Sequence, residues 1–170
     1  MIVYHAAFDL YNCMFRLLLI LSRIKEEEVE MEKMLIWDYY VAFPNRVSQI
    51  SFPQDLRPQY AKIFKENKNP YDEVLDDVKI FSKMRSYQME ALRCLAAYGL
   101  IDSERFLLNS RVKRTDKPLP DALQERITEV PTRLRNVITL IESPFTELPL
   151  YGAKGFKFRT KLIDYKYDVQ

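Results

Sequence analysis

The sequence predicts a mainly α domain with a small β element: a winged-helix-like core with additional helices around it. Three observations carry that expectation. Met84, Tyr87, Ala91, Leu92, Leu95 and Tyr98 recur at steps of three and four, the spacing of an amphipathic helix. Gly99 follows directly, where a helix commonly stops in left-handed backbone. Beyond it, Leu100-Ile101 and Phe106-Leu107-Leu108 are short strand candidates ahead of the basic residues Arg111, Lys113 and Arg114. That is the order in which winged-helix domains pass from a core helix into the wing. A helix continuing through residues 100–115 would refute it.

The 170 residues fit one domain: N-terminal helices over 1–43, the winged-helix-like segment over 82–115, and C-terminal helices with a strand over 119–170. Apolar residues make up 48% of the chain, with 10 Phe and 11 Tyr, which supplies a packed core and argues against disorder. Only 3 Gly are present, too few for a phosphate-cradling loop or a barrel of tight turns.

From the start of the chain, Ala6–Ile24 reads as a helix. Asp9, Asn12, Arg16 and Arg23 fall near one line, leaving apolar residues around most of the circumference. These charges argue against a transmembrane span, and the flanking His5, Asp9 and KEEEVEMEK argue against a secretory signal. A helix of this kind is central or lies at an interface, and Phe15, Leu18 and Leu19 are the candidate partner contacts. Lys25–Lys33 reads as a solvated helix start leading to a helix that Pro44 ends near Phe43. Prolines 44, 53 and 58 imply an irregular connection, Tyr60–Phe64 a short helix, and Asn67–Pro70 a turn. Asp72–Phe81 is ambiguous, and the safest helix covers Ser82–Tyr98. After a loop marked by Pro118 and Pro120, Leu123, Ile127 and Val130 mark one helix. Leu134, Val137, Ile138 and Ile141 mark another, with Pro131 as its first residue. Phe156, Phe158 and Leu162 alternate with Lys157, Arg159 and Lys161 as a half-buried strand. The apolar set then shifts register to Ile163, Tyr165, Tyr167 and Val169.

The chemistry legible in the sequence is thin. His5 is the only histidine, and neither a G-x-S-x-G elbow nor a G-x-x-x-x-G-K-[ST] loop occurs. Cys13 and Cys94 are isolated within apolar helical patterns, the pattern of buried reduced thiols in a reducing, cytoplasmic setting rather than of zinc ligands. Glu26-Glu27-Glu28 and Asp76-Asp77 read as solvated carboxylates. The expectation is a chain with no catalytic residues, no cofactor, no metal and no small-molecule substrate. The positive signal is basic: Arg111, Lys113 and Arg114 in the wing, and Arg133 and Arg135 opening a later helix, are candidate nucleic-acid contacts. Arg159 and Lys161 on the last strand are further cations. With a net charge of only +2, an ordinary solvated surface competes with that reading.

WDYYVAFPNRV (Trp37–Val47), followed by MEALRCLAAYGLID (Met89–Asp102), resembles the middle component of ABC-three-component systems, and most nearly the small C subunit of Lamassu-type defence complexes. The resemblance spans Phe8 to Thr115 and rests on structural rather than catalytic motifs. It implies a non-enzymatic subunit bridging an SMC-like ABC ATPase and an effector, often a nuclease, in anti-phage or anti-plasmid defence. Double-stranded DNA would be met through the complex. It carries no ligand residues over to this chain. The alternative is a stand-alone winged-helix DNA-binding regulator. Such a protein would usually carry a plainly basic recognition helix, whereas Tyr87-Gln88-Met89-Glu90 with Arg85 and Arg93 is mixed in charge.

Overall fold

The computed structural model describes residues 4–66 and 76–163. The chain runs through α1 (Leu10–Leu21), β1 (Glu28–Glu30), α2 (Met31–Ala42), α3 (Arg57–Glu66), α4 (Asp77–Ala97) and α5 (Ser103–Asn109). It continues with β2 (Arg111–Lys113), α6 (Asp121–Thr128), α7 (Arg135–Leu140) and α8 (Phe156–Thr160). This is a mainly helical fold with one small antiparallel sheet, as the sequence predicts.

α2 is the centre of the packing. Every residue from Lys33 to Val41 is buried, because apolar and aromatic side chains surround the whole helix rather than one stripe. α1 and α4 pack against it and against each other. α1 begins at Asp9, whose carboxylate accepts from the Asn12 N–H at 2.8 Å, and it buries Cys13 and Arg16–Leu21. The C-terminal elements close over the far side of α2 through rings: Trp37 meets Phe156 edge-on with centroids 6.4 Å apart, and Phe145 meets Phe156 at 5.0 Å.

α4 ends as its spacing predicts. Gly99 takes φ +70°, its N–H donates to the Ala96 carbonyl and the Leu100 N–H reaches back to the Leu95 carbonyl, a Schellman stop. A side chain on Gly99 would strain that backbone. The turn aims residues 100–115 away from the α4 axis, so they do not continue the helix.

The strands lie elsewhere than predicted. Phe106-Leu107-Leu108 sits in helix α5, started by Asp102, whose carboxylate accepts from the Arg105 N–H at 2.9 Å. Phe106 is buried, while Leu107 and Leu108 are exposed. The capping acid, with Ser103 and Glu104 in the first turn, overrides the short apolar run. The strand is instead Arg111–Lys113, paired with Glu28–Glu30 inside the stretch read as a helix start: Glu28 faces Lys113, Val29 faces Val112 and Glu30 faces Arg111. Both strands alternate charged, apolar, charged, with the valines turned inward and opposite charges across the ladder. A further antiparallel bridge joins Ile101 to Arg114, so the Leu100-Ile101 expectation survives in part.

The strand predicted over Phe156–Leu162 is also a helix, α8. Phe156 and Lys157 are both buried and Phe158 is exposed, a sequence of burial that no strand gives. Gly155 sets its start: a Cβ there would lie 2.3 Å from the Tyr151 carbonyl oxygen, so only glycine allows the close approach. Before α7, Thr132–Leu134 forms a 3-10 turn, and Pro131 stands just outside it in extended backbone rather than as the first helical residue. The Asn67–Pro70 turn, residues 72–75 of the ambiguous Asp72–Phe81 stretch, and Tyr165, Tyr167 and Val169 lie outside the described residues, and the rest of the ambiguous stretch is the cap and first turn of α4.

Candidate functional site

The charged residues of the interior join helices to one another. Arg16 on α1 grips Asp38 on α2 with both Nε and Nη2, at 2.7 and 3.1 Å, and its Nη1 donates to the Ala6 carbonyl at 2.8 Å. Gln88 on α4 donates to the same carboxylate at 2.9 Å and to the Leu35 carbonyl at 3.0 Å. Asp38 and Gln88 are fully buried and Arg16 nearly so, and the set joins three helices. Cys13 points its thiol at Asp38, 3.8 Å away, and burial followed by that carboxylate raises its pKa well above the ordinary range. A second lock pairs Arg46 with Asp77, which also accepts from the Tyr39 hydroxyl. Burial, and then the Asp77 hydrogen bond, push the Tyr39 pKa up.

His5 is a cap. Its Nδ1 accepts from the Ala7 N–H at 3.1 Å, and its ring stacks on Phe43 with centroids 4.9 Å apart. Asp76 caps α4 by accepting from the Lys79 N–H at 3.0 Å. Both cysteines are free thiols. Among the described residues, no three His, Cys, Asp or Glu side chains come together as a metal-holding group, and no helix is long and apolar enough to cross a membrane.

Of the candidate nucleic-acid contacts, Arg111, Lys113 and Arg114 each have a partner. Arg111 lies 3.3 Å from Glu28 and 3.6 Å from Glu30, and Lys113 lies 3.4 Å from Glu27. Arg114 donates to the carbonyls of Leu100, Thr115 and Lys117 at 2.7, 3.1 and 2.9 Å. It therefore braces the loop after β2 rather than pointing outward, and burial lowers its pKa. Arg133 and Arg135 are exposed ahead of and at the start of α7, on a different element from the wing. Arg159 donates to the carbonyls of Lys154 and Ser51, at 2.6 and 2.7 Å, and Lys161 is exposed.

The N-terminal helix divides the predicted partner contacts. Leu18 and Leu19, 3% and 0% exposed, both belong to the core, while half-buried Phe15 lines an open apolar groove of about 630 Å³ that Leu18 touches only at its base. Its floor is the α1 stripe Tyr11, Met14, Phe15 and Leu18, and Tyr98, Leu100, Leu119 and Leu123 add to its walls. Arg23 clips α6 beside α1 by donating to the Ile127 and Thr128 carbonyls, at 2.9 and 3.0 Å. Lys117 closes the other side by donating to the Tyr98 carbonyl. Tyr11 is 79% exposed and Tyr98 61%, so both rings stand open to water at the groove's edges. Sequence reasoning named Phe15 and Leu18 but missed Tyr11, Met14 and the opposite wall. The signal for the floor was present, as Tyr11, Met14, Phe15 and Leu18 stand at i, i+3, i+4 and i+7.

A family model described as ABC-three component (ABC-3C) system Middle Component 5 matches residues 2–168. No curated protein and no solved structure matches the chain.

Proposed function

The chain belongs to the Middle Component 5 family of ABC-three-component systems, and on that premise we propose that it is a non-enzymatic, cytoplasmic accessory subunit. It bridges an SMC-like ABC ATPase and an effector nuclease in a prokaryotic anti-phage or anti-plasmid complex of Lamassu type. Family membership places the chain in a multi-component system. The observation that carries the bridging role is the open apolar groove on α1, where exposed Tyr11 and Tyr98 and half-buried Met14, Phe15, Leu119 and Leu123 have the character of a protein contact. The buried polar groups of the interior support the non-enzymatic part, because Arg16, Asp38 and Gln88 are spent on holding α1, α2 and α4 together.

A second reading, a stand-alone winged-helix DNA-binding regulator, is favoured by one observation. Helix α4, the Gly99 turn, α5 and β2 follow one another, with Ile101 bridged to Arg114, an order compatible with a winged helix. Weighing against it, Glu27, Glu28 and Glu30 stand beside Arg111 and Lys113 and cancel the field that phosphates would need.

Co-expression of the three components, with affinity capture through the effector, tests the proposal. The ATPase should co-purify only when this chain is present, and the chain alone should show no ATPase or nuclease activity above background. An ATPase and effector that associate equally well without it would overturn the bridging role.

A further inference from the structure

We infer that the α1 groove receives an amphipathic helix of another component, one with an apolar stripe about two turns long flanked by acidic side chains. This deepens the adaptor reading and rests on it. The floor residues Tyr11 to Leu18 span about 10 Å of helix axis at 1.5 Å per residue. A partner helix would lay side chains at i, i+3 or i+4, and i+7 into that length. Met14 at the centre is unbranched and adapts to the shape of what docks.

Charge selects the occupant. The basic side chains lining the groove are Lys117 at its Tyr98 end and Arg126, whose guanidinium lies 4.8 Å from the Phe15 ring centroid. No carboxylate is among the lining residues, and neither cation is ion-paired within the described residues. An acidic residue beside each end of an apolar stripe would meet them at the groove edge, where partial desolvation strengthens the pairing. A second copy of this chain suits the groove poorly. A two-fold contact through the same face would bring Lys117 and Arg126 of both copies into one interface, with no carboxylate among the lining residues to offset them.

The test uses the full chain with the other components of the system. Tyr11→Ala, Tyr98→Ala and the exposed charge reversal Arg126→Glu are compared with wild type and with Val78→Ser, an exposed apolar residue away from the groove. Circular dichroism confirms that each variant is folded. Affinity for the complex should fall about tenfold or more in each groove variant, as central aromatic and charged contacts do, and stay unchanged in Val78→Ser. A photo-crosslinking residue at position 11 should attach to a helical segment rich in Asp and Glu. Groove variants that assemble like wild type overturn the inference while leaving the adaptor role intact. Crosslinks to a basic or non-helical segment, to a second copy of the chain, or binding of anionic vesicles through the groove also overturn it. If wild type fails to join the complex, the adaptor reading fails and the groove assignment falls with it.

Discussion

Asp38→Ala should cost this fold more than any surface change. The wild-type carboxylate is 0% exposed and receives Arg16 Nε at 2.7 Å, Arg16 Nη2 at 3.1 Å and Gln88 Nε2 at 2.9 Å. Without it, the guanidinium remains buried with only the Ala6 carbonyl to receive it. Breaking one side of a buried pair costs about 3–5 kcal/mol, a large share of the roughly 5–15 kcal/mol that holds a typical domain. With a urea dependence of about 2 kcal/mol per molar, the unfolding midpoint followed by far-UV circular dichroism should fall by about 2 M. The double change Arg16→Met with Asp38→Leu removes both charges and keeps apolar volume. Gln88 then loses one acceptor but keeps the Leu35 carbonyl, so the double variant should lie within about 1–3 kcal/mol of wild type. The two single changes must therefore be strongly non-additive. An Asp38→Ala variant within about 1 kcal/mol of wild type, or a double variant as unstable as the summed singles, would refute the account of this site as an interior lock.

Other outcomes follow from the same placements. Leu19→Asp should unfold the chain, since it drives a charge into the core, whereas Phe15→Asp at the groove should leave the circular dichroism spectrum native and weaken assembly. At pH 8, alkylation of the native protein should modify half-buried Cys94 and spare Cys13, whose thiol burial and Asp38 hold protonated. Equal labelling of both would contradict the Cys13 environment. Asp102→Ala should lower stability by about 1 kcal/mol through loss of the α5 cap, measured by the urea midpoint. Glu28→Gln with Glu30→Gln should raise salt-sensitive affinity for double-stranded DNA by releasing Arg111. Unchanged binding in a filter assay would show that the acids do not mask Arg111.

The sequence made legible what local periodicity and stops control. Met84 to Tyr98 followed by Gly99 gave a helix and its end, because the 3.6-residue spacing and the left-handed cap are both local properties. The failures arose where three-residue elements depend on distant partners. Glu28-Val29-Glu30 is a strand only because Arg111-Val112-Lys113 stands opposite it, and neither triplet is long enough to announce itself. The two become recognisable together, as charge-complementary alternations around a central valine. The same pairing decides the wing cations: read alone they form a basic cluster, and in the fold they are the other half of an acidic strand. Phe106–Leu108 and Phe156–Leu162 misled in the opposite direction, since a short apolar run or a short alternation fits strand and helix alike and the deciding residues were Asp102 and Gly155 just ahead of them. The groove was half legible for a related reason. Its floor is one helical stripe, but its opposite wall comes from Tyr98, Leu100, Leu119 and Leu123, and Arg23 and Arg114 set that wall by binding backbone carbonyls. A carbonyl offers no side-chain pattern to match, so arginines that shape the surface resembled arginines free to bind something else.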